Sequence, residues 1–298
     1  MIKSKHCLAA LALTLCFATL SGCAADGTGG VSASPESTGK TEGKPVIAVT
    51  IVPEQTFVEA VCGELAEVVT VVPPGSSPEN YEPTPMETEQ LNEASLYFSI
   101  GVPIEQASVL PKLNGVKVVS LSDEVAAAYP DRTFESGERD PHIWLSPKRV
   151  KVMITAVARE MCSLDPENAD VYNANADAYL KQLDDLDSYI NNALSGIQNR
   201  KFIVYHPAFG YFADDYGLSM YALEEEGKEA TPQHLEDMID LAKEDDIKVI
   251  FYQEEIDSSQ SEAFAEEIGG KTMELSPLSA DYINNLKSMA DLMAEVMR

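Results

Sequence analysis

Positively charged residues are scarce in this chain of 298 residues. It contains 21 lysines and arginines against 49 aspartates and glutamates, which gives a formal net charge of −28 at pH 7. Such a balance argues against nucleic acid or anionic lipid as a partner, because both require a basic surface. Histidine is scarcer still, with four in the whole chain. Any site built on imidazole must therefore use very few positions.

Long apolar runs are also missing, apart from one near the start. An uncharged stretch of 14 residues extends from Cys7 to Leu20, whereas a membrane span needs about 20. Two lysines precede this stretch and small residues follow it up to Cys23, a pattern typical of a bacterial lipoprotein signal. We expect a signal peptide over residues 1–22, lipid on Cys23, and a flexible Gly- and Ser-rich tether over residues 23–44. An ordinary signal peptide with an incidental cysteine is the alternative.

Cysteine is nearly absent from the remainder of the chain. Beyond Cys23 only Cys62 and Cys162 remain, and no CxxC spacing suggests a metal site. The pair is compatible with one disulfide in an oxidising compartment or with two buried thiols.

The body alternates short apolar strands with helical patterns. This alternation predicts an α/β fold of parallel sheets covered by helices on both faces. We expect two lobes, over residues 45–147 and 200–298. The predicted strands are Val46–Val52, Val68–Val72, Leu96–Ile100, Val116–Leu121, Lys201–Tyr205, Ser219–Ala222, Ile247–Tyr252 and Lys271–Glu274.

Helical patterns over residues 148–199 connect the two lobes. The longest extends from Pro166 to Gln198, and a helix of 33 residues is roughly 50 Å long. A helix of this length predicts a stiff link between the lobes. Ligands of open α/β sheets lie beyond the carboxyl ends of the strands, so we expect a cleft between the lobes.

Two histidines occupy positions suited to ligands in that cleft. His142 lies in the segment Asp140-Pro141-His142-Ile143-Trp144, and His206 directly follows a predicted strand. Neutral imidazole is the commonest transition-metal ligand in proteins. Taken alone, each histidine is more typical of a buried, hydrogen-bonded residue than of a ligand. His234 begins a helix that opens at Thr231-Pro232 and is interpreted as a surface residue.

The order of these motifs resembles the zinc- and manganese-binding solute-binding proteins of metal ABC importers, of the cluster A-I type. The likeness covers essentially the whole body. It is carried by Val72-Pro73-Pro74-Gly75 with Ser77–Pro85, by Asp140–Trp144, by Tyr205-His206-Pro207-Ala208-Phe209, and by Val249–Glu255. The resemblance implies a monomeric lipoprotein outside the cytoplasm, anchored to the membrane by its lipid alone. Its partners would be an ABC permease and the ATPase of that permease.

The residues also depart from the family pattern. Glu79 stands where the family usually has histidine, Gln253 stands where an acid is common, and the last loop reads Leu275–Leu278 in place of an aspartate. The resemblance therefore implies a mixed nitrogen and oxygen site in which Asp140 orients one histidine. The implied ligands are Glu79, His142, His206 and one of Gln253, Glu254 and Glu255.

Zinc is the expected metal, because the histidine at position 206 is typical of zinc-type members of the family. Manganese is the alternative, since it prefers more oxygen ligands. A zinc-dependent hydrolase is an alternative of a different class, but the chain has no HExxH or GxSxG motif. We therefore expect no enzymatic activity. A protein that binds a metal chelate, or an adhesin, is a further alternative.

Overall fold

The structure is a computed structural model that describes residues 43–224, 230–255 and 259–297. The predicted signal peptide and Cys23 lie outside the described residues, as does all of the tether before Gly43. Gly43–Arg298 forms one compact unit. Within the described ranges, no helix is both long enough and apolar enough to cross a membrane.

Four parallel strands form the first sheet, in the order β2-β1-β3-β4. Their β-branched and aromatic residues are mostly buried in β1 and β3, the two central strands. Thr84 and Glu87 form a reciprocal capping box at the start of the second helix. The elements are β1 (Val46–Val49), α1 (Val52–Cys62), β2 (Glu67–Thr70), α2 (Pro85–Asn92), β3 (Leu96–Ser99), β4 (Lys117–Ser120) and α3 (Leu121–Ala128).

The second sheet repeats this arrangement, with four parallel strands in the order β6-β5-β7-β8. Thr231 caps the helix that follows it, as predicted, by accepting a hydrogen bond from the His234 amide. Two parallel sheets flanked by helices confirm the predicted fold class. The elements are β5 (Lys201–Val204), α6 (Gly210–Tyr216), β6 (Ser219–Ala222), α7 (Pro232–Glu244), β7 (Val249–Tyr252), α8 (Ser259–Glu267), β8 (Lys271–Glu274) and α9 (Tyr282–Val296).

Two helices connect the sheets, α4 (Pro147–Leu164) and α5 (Ala169–Leu194). Helix α5 is shorter than the predicted 33 residues, because residues Pro166–Asn168 form a separate 3₁₀ turn and the helix ends before Gly196. Its 26 residues correspond to about 39 Å. The long linking helix is thus confirmed, with shorter bounds.

The two sheets share one hydrophobic core. Helix α5 packs against α1 beside the first sheet and against α9 beside the second, as well as against α4. Its buried residues recur every three or four positions, so that one stripe faces this core. They are Tyr172, Ala176, Tyr179, Leu183, Leu186, Ile190 and Leu194. A helix held on both sides in this way resists a wide opening between the sheets.

The two cysteines of the body are free thiols, so of the two alternatives the structure contains the unpaired one. Cys62 is fully buried at the end of α1. Burial raises the pKa of its thiol to about 12. The thiol is therefore neutral and unreactive near pH 7.

A pair of buried acids lies where β1 and β3 end. Glu54 and Glu105 are 0% and 1% exposed. Glu54 accepts hydrogen bonds from the amides of Thr50 and Ile51, and Glu105 accepts from the amides of Ile100 and Gly101. Burial raises the pKa of the Glu54 carboxyl well above its ordinary value of 4.5, and the charge of Glu105 raises it further. Burial likewise raises the pKa of Glu105.

This pair predicts a pH dependence of stability. Because the pKa of Glu54 is raised on folding, the folded chain binds more protons than the unfolded chain above about pH 4.5. The stability that Glu54 contributes is therefore present at low pH and lost as pH rises. Glu54→Gln should flatten the fall in the free energy of unfolding between pH 5 and pH 8. In the unmodified chain, Glu54 should lower the free energy of unfolding over this range by about 1.4 kcal/mol for each pH unit that separates its folded from its unfolded pKa. Chemical denaturation at several pH values measures this slope.

The matched control is Glu59→Gln, which removes the same charge from an exposed position on the same helix. It should leave the slope unchanged. Equal slopes in Glu54→Gln and the unmodified chain would show that Glu54 titrates normally in the folded state.

Candidate metal site

His142 is positioned by a tightly bonded turn that leads into α4. The turn Ile143–Leu145 begins directly after His142. The Trp144 indole donates a hydrogen bond to the Pro277 carbonyl at 2.9 Å, and the Tyr282 hydroxyl donates to the Trp144 carbonyl at 2.7 Å. Both partners come from the C-terminal part of the second half. The loop that carries His142 is therefore bound to residues on the other side of the cleft.

His206 is positioned by the second sheet. It stands two residues beyond the end of β5, at the carboxyl edge where ligands of such sheets are found. Glu224 stands two residues beyond the end of β6, the strand that pairs with β5. Glu79 comes from the loop between β2 and α2, where its amide donates to the Ser77 hydroxyl at 3.3 Å.

These three side chains meet although they come from separate parts of the chain. The Nε2 atoms of His142 and His206 are 3.2 Å apart, and a Glu79 carboxylate oxygen lies 3.8 Å from Nε2 of His206. One ligand atom from each of the three lies within 4.8 Å of the other two. Two nitrogens bound to one zinc ion at about 2.0–2.1 Å with tetrahedral angles would be about 3.3–3.4 Å apart. The observed spacing suits a single small cation.

Each imidazole is held by an acid on its far side. His142 Nδ1 lies 2.7 Å from an Asp140 oxygen, and His206 Nδ1 lies 2.8 Å from a Glu224 oxygen. An ionised carboxylate only accepts hydrogen bonds, so each Nδ1 is the donor, and a ring in its neutral form then presents a lone pair at Nε2. In that form the two lone pairs and the Glu79 carboxylate face one point. A histidine that binds a metal through one ring nitrogen usually donates a hydrogen bond to a carboxylate or another acceptor through its other ring nitrogen.

The cavity between these atoms is small and largely closed. His142 and His206 are 3% and 5% exposed. The cavity has a volume of about 10 Å³ and is lined by the three residues above together with Ser77, Pro78, Trp144, Gln253, Glu255, Pro277 and Leu278. That volume suits one water-sized particle. A wider cavity of about 340 Å³ reaches Glu79, His142 and His206 as well, past Phe134, Glu138 and Arg139.

The remaining predicted ligands differ in placement. Gln253 and Glu255 line the small cavity, whereas Glu254 is exposed and does not. Neither Glu254 nor Glu255 belongs to the group whose ligand atoms lie within 4.8 Å of one another. Burial is the main cause that raises the pKa of the Glu255 carboxyl. Pro277 and Leu278, which replace the family's aspartate loop, contribute an apolar wall.

Glu224 is the site residue that sequence reasoning missed. The motif around His206 covers only the end of β5, whereas Glu224 follows the neighbouring strand β6, 18 residues later. The sequence does contain a signal for Glu224. It follows the predicted strand Ser219–Ala222, and it therefore lies at the same edge of the sheet as His206. His234, interpreted as a surface residue, is half-buried outside the cluster, and its Nε2 lies 2.8 Å from the Ala222 carbonyl oxygen.

Ion pairs hold the two histidine loops together. Arg132 pairs with Asp140 at 3.3 Å and with Asp214 of α6 at 2.8 Å. It packs so closely on Gly210 that a β-carbon there would collide with its side chain. Arg149 of α4 pairs with Asp215 of α6 at 3.1 Å. Both contacts join the His142 side of the cleft to the helix that follows His206.

Two parallel sheets with a buried histidine and carboxylate cluster beyond their carboxyl ends define an α/β protein with a candidate metal site. The family model of the zinc-uptake complex component A periplasmic proteins, ZnuA, matches residues 47–296. The chain belongs to this family, which confirms the resemblance inferred from its motifs.

Relatives within the family include proteins named for zinc and for manganese. The high-affinity zinc uptake system protein ZnuA of Bacillus subtilis is 27% identical over 282 residues, which cover 89% of this chain and 86% of that protein. The manganese-binding lipoprotein MntA of Halalkalibacterium halodurans is 28% identical over 207 residues, covering 67% and 68%. A crystal structure of ZnuA is 37% identical, with a TM-score of 0.80, and the match covers 86% of this chain and all of that one.

The Glu224 contact yields a prediction for metal affinity. Glu224→Ala removes the acceptor of the His206 Nδ1 proton, so the ring loses its orientation and part of its basicity. We expect zinc affinity to fall by about 10- to 100-fold. Glu224→Gln keeps an acceptor oxygen and should lose less. Isothermal titration of the metal-stripped chain measures both, with Glu236→Ala, an exposed acid of α7, as the control. An unchanged affinity in Glu224→Ala would mean that the contact does not support a ligand.

Proposed function

We propose that this protein captures a divalent transition metal outside the cytoplasm, with zinc preferred to manganese, and delivers it to the permease of an ABC importer. The observation that carries the proposal is the convergence of two imidazole lone pairs and one carboxylate on a point between the sheets. The names of its relatives support the same substrate class. The metal is cargo and the protein itself performs no reaction.

Zinc preference follows from the donors. Two nitrogens at 3.2 Å match tetrahedral zinc, whereas manganese favours more oxygen ligands and higher coordination. The carboxylate of Glu79 weakens this preference, because it replaces a third imidazole by oxygen. Manganese is therefore the second candidate, and MntA is a relative named for that metal.

Capture involves both halves of the molecule. Glu79 and His142 come from the first half and His206 from the second, so a bound ion would draw the two sheets together. Helix α5 packs on both sides and limits this motion. We propose that the permease recognises the closed arrangement and that the ATPase powers transfer. We also retain as a proposal the division into lobes over residues 45–147 and 200–298, joined by helices over residues 148–199.

The position relative to the membrane belongs to the same proposal. A lipid on Cys23 would anchor a monomeric body through the tether, beside the permease that it serves. A lipoprotein among the relatives supports this anchorage.

Removal of either histidine tests the assignment of the ligands. His142→Ala and His206→Ala each remove one of the three converging donors, and we expect zinc affinity to fall by about 100-fold or more. The control is His234→Ala, which removes an imidazole outside the cluster and should retain affinity. Zinc titration of the metal-stripped full chain, with ester and peptide turnover assayed in parallel, measures the outcome. Wild-type affinity in both variants contradicts the site, and metal-dependent turnover would favour the hydrolase alternative.

Replacement of Glu79 tests the basis of metal choice. Glu79→His substitutes nitrogen for the carboxylate oxygen that faces His206. We expect the ratio of zinc to manganese affinity to rise by about tenfold or more, because imidazole suits zinc better than manganese. Glu82→His makes the same change at an exposed position of the same loop, and the ratio should not change. Competition between the two metals measures the ratio, and an unaltered ratio in Glu79→His would remove Glu79 from the ligand set.

A further inference from the structure

Two polar atoms in the wall of the small cavity have no hydrogen-bond partner among the residues that the structure describes. They are Nε2 of Gln253 and one carboxylate oxygen, Oε2, of Glu255, and both are inaccessible to solvent. A buried polar group without a partner costs free energy, so such atoms call for a ligand or an ordered water. Their position beside His142, His206 and Glu79 connects them with the metal.

Direct coordination by Glu255 does not fit the geometry. Two atoms bound to one ion at about 2.0–2.2 Å can be no more than about 4.4 Å apart. The Glu255 carboxylate is outside the group whose ligand atoms lie within 4.8 Å of one another. The atom of Gln253 without a partner is an amide nitrogen, which donates hydrogen bonds and does not bind a cation. Neither the Glu255 carboxylate nor the Gln253 amide nitrogen therefore acts as the fourth ligand in this arrangement.

The two atoms have complementary roles toward a water molecule. A water that binds a metal through one lone pair keeps a second lone pair and two protons. The Gln253 amide can donate to that lone pair, and the Glu255 carboxylate can accept one of the protons. The same molecule would satisfy both buried groups and complete a fourfold coordination around zinc.

We propose that Gln253 and Glu255 hold a water molecule that serves as the fourth ligand of the captured metal. The two side chains are positioning residues rather than ligands. This inference rests on the proposed function, because it requires that Glu79, His142 and His206 bind the ion. Apolar Pro277 and Leu278 complete the wall of the same cavity, and neither side chain carries a donor or an acceptor. The fourth ligand is then the one that leaves most easily when the metal is released.

A crystal structure of the zinc-loaded full chain tests the proposal directly. The expected result is a water bound to zinc and within hydrogen-bond distance of both Gln253 and Glu255. A Gln253 or Glu255 oxygen at about 2.0–2.2 Å from the zinc would overturn the proposal. This experiment uses the unmodified chain, so it decides the question even where a variant does not fold.

A double-mutant cycle on zinc affinity gives an independent test in solution. Gln253→Leu and Glu255→Leu each remove one partner of the water, and each should weaken zinc binding by about 10- to 100-fold. Because both side chains act through one water, the double variant should lose little more zinc affinity than the single variant with the larger loss. Glu254→Leu removes a charge from the exposed neighbour and should retain affinity. Losses that simply multiply in the double variant would contradict the shared water.

A failure of the proposed water can be distinguished from a failure of the proposed metal site. Failure of the unmodified chain to bind zinc, or full binding in His142→Ala and His206→Ala, would defeat the metal site itself. Zinc binding that depends on both histidines, combined with independent effects of Gln253 and Glu255, would defeat the water alone. The unfolding temperature of each metal-free variant confirms that the comparison is made between folded proteins.

Discussion

The separation of 3.2 Å between two imidazole nitrogens is the constraint on which the site depends. Each ring directs its Nδ1–H at the acid behind it, so the lone pairs of the two Nε2 atoms face one another and repel unless a cation lies between them. The chain holds them together because each ring is fixed from outside the contact, by Asp140 and by Glu224. Neither acid can move freely, since Asp140 is fully buried and the Glu224 side chain is 11% exposed. The folded structure thus offsets the repulsion between the two Nε2 atoms.

The energy that offsets this repulsion comes from the contacts between the two halves. Helix α5 joins them through one core, and α6 receives ion pairs from Arg132 and Arg149. Tyr211 of α6 adds a further link, accepting from the Arg132 amide at 2.9 Å and donating to the Asp140 carbonyl at 3.1 Å. The helix after His206 is therefore bonded to the residues that orient His142. A change at one histidine loop is transmitted to the other through these bonds rather than through a flexible hinge.

Much of this could be predicted from the sequence. Strands and helices follow from apolar periodicity, and the two histidine motifs are specific enough to locate both rings. The predicted length of α5 is too great at both ends: Pro166 is typical of a first helical residue, yet Pro166–Asn168 form a separate turn, and the apolar spacing continues to Ile197, beyond the last helical residue Leu194. The contact between Glu224 and His206 was not predicted, because it joins the ends of two neighbouring strands that are distant in sequence. The register between parallel strands is not determined by the local sequence. The different placements of Gln253, Glu254 and Glu255 depend on the direction of each side chain in a loop, which composition does not specify.

The charges around the site favour a cation as cargo. Four carboxylates lie in the cavity wall or behind its two histidines, those of Glu79, Asp140, Glu224 and Glu255, and Arg132 pairs with one of them, Asp140. An excess of carboxylates in a low-dielectric interior is costly unless a cation compensates it. A small cation such as zinc compensates this excess and also matches the 3.2 Å spacing of the two histidine nitrogens. Charge and geometry thus favour the same class of cargo.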